Sequence, residues 1–68
     1  MNYETIIVEQ VRHLAIVTLN RPKAGNSFDM TLGAEFDHVI KLLGENRDIR
    51  VIIITGAGSY FSTGIDLS

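Results

Sequence analysis

Apolar residues cluster in four blocks along the chain, and their spacing differs from block to block. Over residues 3–8, Thr5, Ile6, Ile7 and Val8 follow one another, β-branched side chains that suit a pleated surface, so a strand is predicted. Residues 9–13 are short and largely polar, the length of a hairpin connection. Residues 14–19 (Leu-Ala-Ile-Val-Thr-Leu) form a second strand, apolar enough to be covered on both faces. Asn20-Arg21-Pro22 ends it, because proline has no N–H and disfavours helix at the residue before it. A loop then runs through residue 28.

The third block has a different period. Leu32, Phe36, Val39, Ile40 and Leu43 recur at helical spacing, which predicts a helix over 29–44 with Asp29 as its N-cap and Gly44 as a stop signal. Glu35, Asp37 and Lys41 lie off that stripe and are expected to face water. Residues 51–55 (Val-Ile-Ile-Ile-Thr) show no polar alternation and predict a third strand buried on both faces. The order strand, strand, helix, strand makes the helix a crossover on one sheet face between parallel strands, right-handed by the general rule. The fold class is therefore α/β, a β-β-α-β unit.

Sixty-eight residues allow at most one small domain, and a chain of this length leaves much of its apolar surface hard to cover. The absence of cysteine excludes disulfides and thiolate metal sites; no metal is expected. A net charge of −2 supplies no basic field for nucleic acid or an anionic membrane, so neither is an expected partner. No apolar run approaches a membrane span and the first residues do not resemble a secretory signal, so a cytoplasmic location is expected.

Candidate chemistry lies after the third strand. A loop between a buried strand and a helix N-terminus is where α/β proteins bind ligands, and a helix is expected to open after Gly64. The dinucleotide fingerprint fails, because its third glycine would fall on Phe61. The phosphate loop fails too, since Gly64-Ile65-Asp66 stands where Gly-Lys-Ser/Thr is needed. Two readings stay open. The glycines could mark an ordinary turn. Alternatively, the Ile65 N–H, unpaired in a first helical turn with Gly64 as the supporting turn residue, could hold a developing oxyanion.

Three segments together resemble a known family: Leu19-Asn20-Arg21-Pro22-Lys23-Ala24-Gly25-Asn26-Ser27, then residues 51–58, then Phe61-Ser62-Thr63-Gly64-Ile65-Asp66-Leu67. In order and spacing they are similar to the crotonase, or enoyl-CoA hydratase/isomerase, superfamily, across nearly the whole chain. The resemblance implies the N-terminal part of a crotonase (ClpP-like) fold, with residues 1–68 a partial domain. It implies an acyl-CoA-processing enzyme, an enoyl-CoA hydratase first, with enoyl- or dienoyl-CoA isomerase as the alternative within the superfamily.

On the same basis, Ile65 matches a backbone oxyanion donor to the thioester carbonyl. Lys23, Ala24, Thr63, Ile65, Asp66 and Leu67 match positions along coenzyme A. The CoA thioester is then the substrate, no cofactor is bound, and the whole protein is expected to be a homo-oligomer, a trimer or hexamer. The family's acid/base glutamates and second oxyanion donor have no counterpart here, so these 68 residues alone are expected to be inactive. Gly25 stands where the family often has a larger residue, and Thr63 where alanine is common. A non-catalytic acyl-CoA-binding or interaction module is the rival reading.

The remaining residues have plainer expectations. His13 is expected as a solvated turn residue, His38 as a partly exposed neighbour of the helix stripe, and Asp66 as a first-turn acid. Arg21 and Lys23 read as surface charges; for Lys23 the resemblance also implies a contact to CoA phosphates. Phe28, Phe36 and Phe61 read as core.

Overall fold

The computed structural model describes residues 3–64. Strand β1 (Ile6–Val11) pairs antiparallel with β2 (Leu14–Leu19). A 3₁₀ turn (Pro22–Ala24) and helix α1 (Met30–Glu45) lead to β3 (Val51–Gly56), which pairs parallel with β2. The sheet order is β1-β2-β3, so the α/β assignment and the parallel crossover both hold.

The first strand lies further along the chain than its composition suggests. It begins at Ile6 and continues through Val11, so the connection is Arg12-His13 alone and not 9–13. Arg12 takes φ 55° there, a backbone conformation that sequence preference assigns to glycine or asparagine, which is why the turn is inconspicuous. His13 is exposed but not merely solvated. Its carbonyl accepts from the Arg50 and Val51 N–H groups, and its Nδ1 lies 2.8 Å from the Asp48 carbonyl. A carbonyl can only accept, so Nδ1 carries the proton in that contact.

Helix α1 starts where Asp29 caps it, Oδ1 accepting the Leu32 N–H at 2.8 Å. It ends at Glu45, one residue past Gly44, with Asn46 as its C-cap. Leu32, Val39 and Leu43 are buried against Ile6 of β1 and Ala15, Val17 and Leu19 of β2, with Phe36 and Ile40 packed at the edge of this core. Phe28 and Phe36 meet edge to face, 5.5 Å apart.

Glu35 departs from the expectation that it faces water. It is half-buried and accepts from the Glu4 N–H and the Thr5 N–H, each at 2.8 Å, and from the Thr5 hydroxyl. Beside it, the Tyr3 hydroxyl and His38 Nδ1 are 2.9 Å apart. The helix thus gathers the residues that precede β1. Asp37 and Lys41 do face solvent, as a surface i,i+4 pair.

Neither β2 nor β3 is covered on both faces. The register puts Ile7, Val11, Leu14, Ile16, Val51 and Ile53 on the face opposite α1. Val51 is 54% exposed and Ile53 44%. One helix covers one face, and β3 has no strand beyond it among the described residues, so its apolar run meets solvent.

The half-buried Glu35 carboxyl is pushed upward by desolvation, but its three donors together hold its pKa below the ordinary value. A lowered pKa contributes stability that is complete above the unfolded value, about 4.3, and is lost as pH falls through the folded one. Glu35→Gln is therefore expected to cost about 1 kcal/mol at neutral pH, after allowance for solvent screening. The difference from wild type should shrink below pH 4.3, as thermal melts across pH will show.

Candidate functional site

Two loops lie side by side at the C-terminal ends of β2 and β3: residues 20–29 and residues 57–64. Their contact is built around Asn26, whose side chain is fully buried. Its Oδ1 accepts the Arg21 N–H at 2.8 Å, closing its own loop. Its Nδ2 donates to the Ala57 carbonyl at 2.8 Å and the Tyr60 carbonyl at 2.7 Å, reaching across to the other loop. The Asn26 carbonyl accepts from the Ser62 hydroxyl at 2.9 Å. Asn26 has φ 55°, a left-handed conformation that asparagine tolerates better than most residues. Backbone and side chain therefore both call for this residue type.

The end of β3 is shaped to admit the clamp. A Cβ at Gly56 would lie 2.3 Å from the Phe61 carbonyl oxygen, 2.5 Å from that of Tyr60 and 2.7 Å from Asn26 Nδ2. Only glycine lets the loop fold back this tightly. A Cβ at Gly58, φ 82°, would sit 2.9 Å from Pro22 Cβ, so the loops also touch there.

This inward turn of the 60–61 carbonyls explains a correction. Phe61 is not core; it is 58% exposed, because the peptide groups point in and the ring points out. Arg21 is not a plain surface charge either. It is half-buried, with Nη1 donating to the Ser27 carbonyl and Nη2 3.4 Å from Asp29. That contact ties the loop to the cap of α1.

The expected site residues fall into two groups. Lys23 is exposed in the 3₁₀ turn, and Ala24 is half-buried beside it. Thr63 and Gly64 come against the same loop. The Thr63 N–H donates to the Gly25 carbonyl at 3.0 Å, and the Phe28 N–H donates to the Gly64 carbonyl at 2.8 Å. The structure thus brings the Lys23–Ala24 loop and the 63–64 segment together from positions about 40 residues apart. Ile65, Asp66 and Leu67 lie outside the described residues, as does the helix expected after Gly64. Among the described residues, no three of His, Cys, Asp and Glu cluster as metal ligands, and no helix is long and apolar enough to cross a membrane.

Asn26 was not singled out as a site residue from the sequence. The available signal was an asparagine directly after a glycine in a loop, a pair suited to left-handed backbone.

An α/β unit with loops joined at the strand ends is a ligand-site architecture shared by many folds. The sequence model of the enoyl-CoA hydratase/isomerase family matches residues 9–68. This chain belongs to that family. It is 40% identical, over 98% of its own length, to a probable enoyl-CoA hydratase of Mycobacterium bovis, of which it covers 26%. It is 34% identical to the mitochondrial Delta(3,5)-Delta(2,4)-dienoyl-CoA isomerase of Mus musculus, covering 97% of this chain and 20% of that one. The crystal structure of a probable enoyl-CoA hydratase/isomerase from Mycobacterium abscessus superposes with a TM-score of 0.94 at 30% identity, over 98% of this chain and 26% of that one. The fold is therefore the crotonase fold, and the chain spans about a quarter of the length of these relatives.

Asn26→Ala removes three buried hydrogen bonds and strands two carbonyls, and is expected to destabilise the chain by about 3 kcal/mol. Asn26→Gly keeps the left-handed backbone but loses the same bonds, so it should recover only the conformational part, about 1 kcal/mol. Gly56→Ala forces backbone to move and should cost about 2 kcal/mol or more. Urea denaturation of the three variants measures all of these.

Proposed function

We propose that the chain is the N-terminal part of an acyl-CoA-processing crotonase domain whose reaction is hydration of a 2-enoyl-CoA thioester. Water adds across the double bond: its oxygen bonds to C3, and a proton is delivered to C2. The electron pair of the double bond passes through the thioester enolate, whose oxygen needs a hydrogen-bond donor as its charge grows. The Ile65 N–H is that donor in this reading, and Gly64 leaves the backbone open to the ligand. Lys23, Ala24, Thr63, Asp66 and Leu67 line the path of coenzyme A.

The observation that carries the reading is the joining of the 63–64 backbone to the loop after Asn20-Arg21-Pro22 in a chain of this family. The groups that move protons are proposed to lie on other parts of a longer polypeptide. The bound species is the CoA thioester itself, with no further cofactor.

A second reading is isomerisation of a dienoyl-CoA. The isomerase of Mus musculus is among the relatives, and Gly64-Ile65-Asp66-Leu67 resembles that branch. Product analysis separates the two: hydration yields a 3-hydroxyacyl thioester, and isomerisation yields a dienoyl thioester of unchanged mass.

Incubated with crotonyl-CoA, the 68-residue chain alone is expected to leave the substrate unchanged. Measurable hydration would show that the acid and base reside within it. In a polypeptide carrying the rest of the family's length, Ile65→Pro deletes the N–H and is expected to lower kcat about 100-fold or more, with a smaller effect on KM. An unchanged kcat would remove Ile65 from the oxyanion role.

A further inference from the structure

Gly64 has φ 99°, and among the described residues a Cβ built on it would meet no atom within 4 Å. Polar contacts hold it from three sides: the Ser62 hydroxyl lies 3.1 Å from its N–H, Phe28 donates to its carbonyl, and the preceding Thr63 N–H donates to Gly25.

Thr63 adds a steric contact to that frame. A Cβ on Gly25 would lie 2.8 Å from Thr63 Cγ2, 3.3 Å from its Oγ1 and 3.6 Å from its Cβ. The Thr63 side chain therefore occupies the space beside Gly25 that any larger residue would claim. Gly25 itself has φ 62°, so the position favours glycine on backbone grounds as well. A β-branched side chain has few χ1 wells, and a methyl seated against backbone restricts it further.

We propose that Thr63 is a positioning residue: its methyl, beside Gly25, holds the Thr63–Gly64 backbone against the loop of residues 20–29. The proposal concerns the side chain's shape, whereas the role expected of Thr63 along coenzyme A concerns its backbone. Its consequence for the oxyanion donor Ile65 rests on the acyl-CoA reading; the steric coupling does not.

The test is amide hydrogen exchange on the full chain without ligand. The Phe28 amide, bonded to the Gly64 carbonyl, is the local reporter, and the Val17 amide in the core is the reference. Thr63→Ser removes the methyl and keeps the hydroxyl. Thr63 is exposed and its methyl is covered on the Gly25 side alone, so Phe28 exchange relative to Val17 should rise by about twofold, less than a fully buried methyl would give. Thr63→Val keeps a methyl on Gly25 and should leave the ratio unchanged. Gly25→Ala should raise the ratio, and adding Thr63→Ala should bring it part of the way back. Three results each overturn the proposal: an unchanged ratio in Thr63→Ser, an equal rise in Thr63→Val, or equal acceleration of both amides, which would make Thr63 a contributor to global stability only. The kcat of Ile65→Pro in a polypeptide carrying the rest of the family's length tests the acyl-CoA reading separately, because the exchange ratio needs no ligand.

Discussion

The buried amide of Asn26 is what makes two loops into one structure. A side chain with one acceptor and two donor hydrogens meets one N–H and two carbonyls, so its Oδ1 and both Nδ2 hydrogens find partners inside the protein. Buried polar groups are costly when unpaired and specific when paired. The amide therefore fixes separation and register between segments about thirty residues apart. Gly56, Gly58 and Gly25 follow from it, since each marks a point where the loops approach more closely than a Cβ allows.

The rest of the fold serves to bring those loops to the same place. Parallel pairing of β2 with β3 puts both strand C-termini at one end of the sheet, and the α1 crossover makes that pairing possible. The Asp29 cap is linked through Arg21 to the first loop, so helix entry and loop shape are set together. At the same end, Glu35 and His38 hold the segment before β1 against the helix, and the Asn20 N–H donates to the Thr5 carbonyl. What remains uncovered is the far face of the sheet, where Val51, Ile53, Ile7 and Val11 are exposed. The chain covers only about a quarter of its relatives' length, and this apolar face is a large hydrophobic surface for so small a unit.

The chemistry in view is that of main-chain groups. Around residues 63–64 the Thr63 and Gly64 N–H groups and the Gly64 carbonyl are all engaged within the fold, which fixes this backbone, with the charged side chains of the first loop either exposed, as Lys23 is, or engaged in the fold, as Arg21 is. Preorganised backbone donors are effective because no reorganisation is needed when charge develops. The relatives in this family include a probable enoyl-CoA hydratase and a dienoyl-CoA isomerase.

By itself the sequence determined the element order, the extent of β2, the helix with its Asp29 cap, and the family, because period, capping residues and motif spacing are local properties written in consecutive residues. It did not determine the hairpin's end, since Arg12 adopts a left-handed backbone without the residue type that announces one. It placed Glu35 in solvent, since only the packed structure brings the Thr5 donors to that carboxylate. It placed β3 and Phe61 in a core, since an apolar run reports affinity for cover and not whether cover is present. The role of Asn26 and the seat of Thr63 on Gly25 were decided by tertiary structure alone. Apart from the Arg21 N–H, their partners lie more than thirty residues away, and no local pattern encodes a contact that exists only after the sheet has brought two loops together.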